Sequence, residues 1–230
     1  FYLIGHSNYD ILIKKFDSTG AEITTGWNKT LNFGGNDIGD AVAVDSSGNV
    51  YICGRKYVTT NVTGWTIKKY NSAGTEITTG WNKSCNGNGY SPSSGCGDIV
   101  VDDADEVYAG GYIRNWVTGT SGNDALMKKF AADGTELLSV LEDLPTFRKL
   151  TKGTSGSVYA AYDFTNFVSA SSANDIVVRK YLSDDTEDTT NWGFGVEADA
   201  MSGDKAYAST DASGNTCIAG IVQNEGSASS

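Results

Sequence analysis

The chain has 230 residues and a formal net charge of −11, so it could not neutralise a row of phosphates, and nucleic acid is excluded as a partner. Cations, neutral sugars or a basic protein suit that charge better. No run of about 18 apolar residues occurs, which leaves no transmembrane helix, while 28 glycines and 2 prolines suit many tight turns between short strands.

Phe1-Tyr2-Leu3-Ile4-Gly5 reads as a strand. It is too short for a signal peptide and lacks a basic flank, and it matches the interior of a repeat, so residue 1 is expected not to be the natural start of the gene product. Ile13-Lys14-Lys15-Phe16 is the next strand, followed by a turn at Gly20 and a strand holding Trp27. Ala41-Val42-Ala43-Val44-Asp45 is an apolar strand ending in a polar turn, and Val50-Tyr51-Ile52-Cys53-Gly54 follows at once.

The same elements then return. Ile67-Lys68-Lys69-Tyr70, Met127-Lys128-Lys129-Phe130 and Val178-Arg179-Lys180-Tyr181 repeat the lysine phrase, so the four copies begin at 13, 67, 127 and 178, hence 54, 60 and 51 residues apart. Copies of the second strand begin at Val107, Val158 and Thr216. A period of about 50 residues built from short strands predicts an all-β fold, a β-propeller of four-stranded antiparallel blades. Counting copies gives 17 strands, about four and a quarter blades of 50–60 residues. Residues 1–230 therefore read as one propeller domain, or as part of a larger propeller or repeat array. A small ring in which the last strands complete the first blade is the other expectation.

Aligned turn positions support this parsing: Gly48, Asp105, Gly156 and Gly214 between strands one and two, and Gly20, Gly74, Gly134 and Asp185 between strands three and four. Asp is among the few side chains that tolerate the left-handed backbone a tight hairpin demands. Seven residues beyond the second set stand Trp27, Trp81, Leu141 and Trp192, expected to pack between neighbouring blades. Folding each hairpin about its turn sets Lys15 against Glu22, Lys69 against Glu76, Lys129 against Glu136 and Lys180 against Glu187. Such cross-strand pairs are worth about 0.2–1 kcal/mol each.

Cys85 and Cys96 flank a ten-residue Gly/Asn/Ser/Pro insertion absent from the other repeats. That loop has no core of its own, so a disulfide closing it is expected, worth about 3 kcal/mol by loop entropy. Cys53 and Cys217 fall in apolar strands and read as buried small hydrophobes. A bridge, with abundant Ser, Thr, Asn and Gly, points to an oxidising, extracytoplasmic location. No CxxC pair occurs and His6 is the only histidine, so no zinc or other metal site is expected. No cofactor motif and no catalytic motif stands out.

Ile-Lys-Lys-Tyr-Asn-Ser-Ala-Gly (67–74), Thr-Thr-Gly-Trp-Asn-Lys (24–29 and 78–83) and Ala-Val-Asp-Ser-Ser-Gly-Asn-Val-Tyr (43–51) resemble the bacterial β-propeller repeat family labelled SBBP. The resemblance spans nearly the whole chain and is best in the second copy; the third lacks the Trp and the Asp-Ser-Ser-Gly-Asn turn. It implies a secreted or surface-exposed bacterial propeller and no particular activity.

Loops two-to-three and four-to-one vary in length, and strand alternation puts both classes on one face. That face collects Tyr57, Tyr90, Asp98, Tyr112, Arg114 and Trp116 as the candidate ligand-binding set, with Phe167, Asp37, Asp40 and Asp124 nearby. Variable loops on a rigid scaffold are where binding usually resides. The leading expectation is a non-enzymatic binding or adhesion module for carbohydrate or protein at the cell surface, stacking on the aromatics with Asp and Asn as hydrogen-bond partners. A structural subunit that self-assembles through strand edges is one alternative. A polysaccharide-acting enzyme using Asp40 and Asp98 as its carboxylate pair is the other. His6 has no spaced partner motif for a triad. Asp102, Asp103 and Asp105, or Asp184, Asp185, Glu187 and Asp188, do not match the 12-residue calcium loop and read as solvated turns.

Overall fold

A computed structural model describes residues 1–85, 93–114, 123–142, 146–164, 175–190, 194–196, 206–211 and 216–220. Every pairing among the described strands is antiparallel, and the described residues hold no helix. No helix among them is therefore long and apolar enough to cross a membrane.

The first sheet comprises β1 (Tyr2–Ser7), β2 (Asp10–Phe16), β3 (Glu22–Ile23) and β4 (Lys29–Leu31), in the order β1-β2-β3 with β4 also on β2. The second runs β5 (Ile38–Val44), β6 (Val50–Thr59), β7 (Val62–Tyr70), β8 (Glu76–Ile77). The third runs β9 (Ser94–Val101), β10 (Val107–Arg114), β11 (Asn123–Phe130), β12 (Glu136–Glu142). The fourth runs β13 (Thr146–Lys152), β14 (Val158–Phe164), β15 (Asp175–Tyr181), β16 (Phe194–Val196), and β17 (Ala206–Thr210) pairs with β18 (Thr216–Gly220). The strands β5, β9, β13 and β17 adjoin one another in series. β17 takes β18 as its partner, and no pairing among the described strands joins either to β1, so the small-ring closure is not formed there.

The core is divided among the gaps between sheets. Ile11, Ile13 and Trp27 of the first sheet pack on Val50, Ile52 and Tyr70 of the second. Tyr51, Trp65, Ile67 and Trp81 of the second meet Ile99, Val107, Ile113 and Phe130 of the third. Each sheet thus buries its faces against its neighbours, as in a repeat array.

Turn chemistry follows the sequence closely. Asp17, Asp45, Asn71 and Asp102 each accept, on one side-chain oxygen, the backbone N–H groups two and four residues on, at 2.8–3.1 Å. Asp105 and Asp185, standing where other repeats have glycine, adopt φ of 61° and 69°. Gly214 lies outside the described residues. Asp102, which had entered a calcium reading, is thus a turn brace, and Asp105 accepts Ser46 N–H and Oγ–H from the second sheet.

The lysine phrase differs from its expected register by one residue. Glutamate pairs with the first cation: Lys14–Glu22 at 2.8 Å, Lys68–Glu76 at 2.6 Å, Lys128–Glu136 at 2.7 Å and Arg179–Glu187 at 3.1 Å. The glutamate lies opposite the aromatic that ends the phrase, Phe16↔Glu22, Tyr70↔Glu76 and Phe130↔Glu136. Alternation then puts the first lysine, two residues back, on its face and the second lysine on the other. The second lysine reaches the next sheet: Lys15 Nζ donates to Ser72 O at 3.2 Å and Lys69 Nζ to Ala132 O at 3.0 Å.

Trp27 and Trp81 join those contacts. Their Nε1–H groups donate to the same two carbonyls, Ser72 O at 3.1 Å and Ala132 O at 3.0 Å. The Thr-Thr-Gly-Trp turn that carries them interrupts the fourth strand, dividing β3 from β4 and leaving β8 with only an Ile67↔Lys83 bridge beyond it. The third repeat lacks that turn, and β12 runs unbroken. Leu141 consequently packs back toward the second sheet, and Leu138 and Val140 face the fourth instead. Trp192 lies outside the described residues.

Candidate functional site

Two concavities form where sheets meet at the variable-loop end. The first is a shallow basin of about 470 Å³ between the β1–β2 hairpin and residues 32–36. Ser7 faces Asp10, so Asn8 and Tyr9 alone make the turn, with φ of 53° and 70°. Two positive φ values match the twist of a tight hairpin, and Asn accepts this readily, whereas a bulky aromatic there is an outlier. The Tyr9 side chain gains no burial in return, since the residue is 69% exposed. Asn8, Asp10, Asn32 and Asn36 line the basin with Tyr9, together with Gly34 and Gly35.

The opposite rim is braced from the second sheet. Asp37 is fully buried; its two oxygens accept Tyr57 N–H at 2.6 Å and Phe33 N–H at 2.8 Å, and its own N–H donates to Tyr9 O at 2.8 Å. The Tyr57 ring packs against Gly35, where a Cβ would overlap it. Asn32 accepts Gly34 N–H at 2.7 Å, tightening the loop. Tyr57 and Asp37 thus hold the basin's rim from below.

The second concavity, about 140 Å³, lies between the second and third sheets. The first strands of the second, third and fourth sheets carry a bulge at one register, at Asp40 in β5, Gly97 in β9 and Arg148 in β13, whereas the described part of β17 pairs without one. A bulge re-aims its side chain, and Asp40 stands at the mouth of this crevice with Arg55 and Tyr112. Asp40 opens to solvent on one side, but protein on the others strips enough water to push its carboxyl up to about 6, against the opposing pull of Arg55 and then His6. Arg55 Nη1 donates to Tyr112 Oη at 3.3 Å, and its buried Nε–H has no protein partner. Tyr112 also meets Ser93 Oγ at 3.2 Å and accepts Trp65 Nε1–H on its carbonyl at 2.9 Å. It is therefore half-buried and tied at both ends.

The other sequence-derived candidates are placed as follows. Asp98 is buried; one oxygen accepts Lys149 Nζ at 3.0 Å and the other Leu150 N–H at 2.7 Å, so it clamps the third sheet to the fourth. Burial pushes its carboxyl up and Lys149 opposes that. Arg114 is exposed at the end of β10. Tyr90, Trp116 and Phe167 lie outside the described residues. Asp124 is fully buried on β11. Tyr9 carried no signal in the sequence beyond an Asn beside it, because a glycine-free two-residue turn is easily read as continuous strand.

Cys53, Cys85, Cys96 and Cys217 are all free thiols in this structure, so neither the bridge expected between Cys85 and Cys96 nor any other is present among the described residues. Cys96 sits in β9, fully buried in the core shared with the second sheet, while Cys85 lines a separate cavity of about 130 Å³ with Lys83, Lys128 and Phe130. Cys53 is fully buried as expected, but Cys217 is exposed. No group of three or more His, Cys, Asp or Glu side chains suited to a metal occurs among the described residues. No protein-family model and no curated protein matches the chain.

Proposed function

We propose that this chain is a secreted or cell-surface β-propeller segment of the SBBP repeat type that binds carbohydrate without catalysis, and that the Tyr9 basin is its binding site. One observation carries the reading: an exposed tyrosine held in left-handed backbone, in a basin that amides and one carboxylate also line. Strain of this kind costs about 1–3 kcal/mol and persists where function needs it. A flat aromatic beside Asn8, Asp10, Asn32 and Asn36 offers a sugar ring an apolar face and hydrogen-bond partners for its hydroxyls. The acidic surface suits a neutral glycan better than an anionic one.

The test is a glycan array probed with the full chain and with Tyr9→Ala. Retention of a neutral glycan by the wild type, weakened about tenfold or more in Tyr9→Ala, supports the reading. Absence of glycan binding by the wild type, or equal binding by the variant, overturns it.

The enzyme reading is less favoured, because both oxygens of Asp98 are engaged by Lys149 and Leu150.

A further inference from the structure

We infer that Cys53 and Cys96 form a disulfide that staples the second sheet to the third when the chain folds in an oxidising environment. Cys53 lies on β6 and Cys96 on β9, strands of different sheets that pack on one another. Both side chains are fully buried in the same core cluster. Cys53 Sγ–H donates to the Cys96 carbonyl oxygen at 3.8 Å, which places its sulfur against the Cys96 backbone. Cys85 packs only at the edge of that cluster, half-buried, with its carbonyl held by Trp65 N–H and Ser94 Oγ–H, and it also lines the cavity beside Lys128. The loop between Cys85 and Cys96 made their pairing attractive in the sequence, but proximity along the chain does not decide which strand faces which.

The chemistry is thiol–disulfide exchange with a low-molecular-weight disulfide such as oxidised glutathione. One protein thiolate attacks the reagent, forming a mixed disulfide and releasing one glutathione thiol. The second protein thiolate attacks that mixed disulfide, closing Cys53–Cys96 and releasing the second glutathione. Two protein S–H groups are oxidised, one reagent S–S bond is reduced, and the two protons pass to the released thiolates or the buffer. Burial pushes the Cys53 thiol up, so the folded core reacts slowly and the bond closes as the two sheets come together. The bond would hold the wall of the Asp40–Arg55–Tyr112 crevice, which Cys96 also lines.

The full chain is refolded in a glutathione redox buffer, residual thiols are blocked with N-ethylmaleimide, and the protein is digested without reduction by trypsin and chymotrypsin. Cleavage at Tyr90 separates Cys85 from Cys96 in the mass spectrum. The expected result is a Cys53 peptide linked to a Cys96 peptide, with Cys85 alkylated and the link retained in Cys85→Ser. Oxidation should also raise the thermal midpoint of the wild type and leave that of Cys53→Ser unchanged. A Cys85–Cys96 link, or alkylation of both Cys53 and Cys96 in natively folded protein, overturns the inference. Mapping of protein exported to a bacterial periplasm gives the same decision should refolding be poor.

Discussion

Lys129 places its ammonium 2.6 Å from the Glu106 carboxylate, on the face of β11 opposite to that of its neighbour Lys128. Lys128 instead meets Glu136 at 2.7 Å across the hairpin. Lys129 also bonds Asp185 of the fourth sheet and lies 5.0 Å from the Tyr108 ring centre, with only 1% of its side chain exposed. Burial works against its charge, but Asp185 and then Glu106 hold the proton and raise the ammonium above its usual range. In the first three phrases one lysine thus closes a hairpin and the other ties neighbouring sheets; in the fourth, Arg179 does both, through Glu187 and Glu142, and Lys180 meets Asp188 across its own hairpin.

Lys129→Ala should therefore destabilise by about 3 kcal/mol, since it leaves Tyr108, Glu106 and Asp185 without the cation they surround. Lys128→Ala should cost less than about 1 kcal/mol, because its partner is partly hydrated and can turn to water. Urea unfolding of the two variants checks this. Equal losses would show that both lysines serve the hairpin alone.

The seven aligned turn positions that are described, all of positive φ, and the interleaved Trp27 and Trp81 could be read directly from the repeat, because backbone conformation and bulk impose their demands locally. The lysine register could not. It depends on Glu22, Glu76 and Glu136 standing opposite Phe16, Tyr70 and Phe130, a matter of how tightly each turn is wound. Leu141 was misaligned for a related reason: the Thr-Thr-Gly-Trp turn consumes residues that an unbroken β12 does not. Tyr57 and Asp37 were legible as members of the loop face, but their work beneath the Tyr9 rim depends on contacts between sheets, which a linear pattern does not encode.

Gly74 makes a second test of the packing between sheets. Its φ is 88°, and a Cβ there would overlap the Gly26 carbonyl oxygen of the first sheet. Gly20 has a similar φ of 87° but open space around it. Gly20→Ala should cost about 1 kcal/mol from backbone strain alone. Gly74→Ala should cost clearly more, about 2–4 kcal/mol, because backbone must also move. Thermal midpoints of the two variants decide it, and an equal loss would remove close sheet approach from the account.

Asp40 gives stability a pH signature of definite sign. Its folded carboxyl titrates at about 6, above the usual unfolded value near 3.9. Between those values the folded state holds a proton that the unfolded state has released, so unfolding becomes easier as pH rises through the window. The wild type should lose stability relative to Asp40→Asn from about pH 4 to about pH 6 and run parallel to it above. Urea midpoints for both proteins across pH 3.5–8 measure the difference, and a carboxyl carbon titrating near 4 in the native protein would refute the assignment.

Tyr9 separates stability from function more sharply than any other residue of the basin. The ring is exposed and the backbone strained, so the fold gains little from it. Glycine adopts the same φ without strain, at an entropic cost in the unfolded chain of about 0.4–1 kcal/mol. Strain relief of about 1–2 kcal/mol offsets that cost. Tyr9→Gly should consequently fold with unchanged or slightly raised stability, by up to about 1 kcal/mol, while glycan retention falls as in Tyr9→Ala. Tyr9→Phe should keep most of the affinity, since stacking needs the ring and the hydroxyl adds one hydrogen bond. Paired urea unfolding and glycan titration of the three variants test both halves. A loss above about 1 kcal/mol in Tyr9→Gly would make the tyrosine a structural hairpin residue rather than a binding platform.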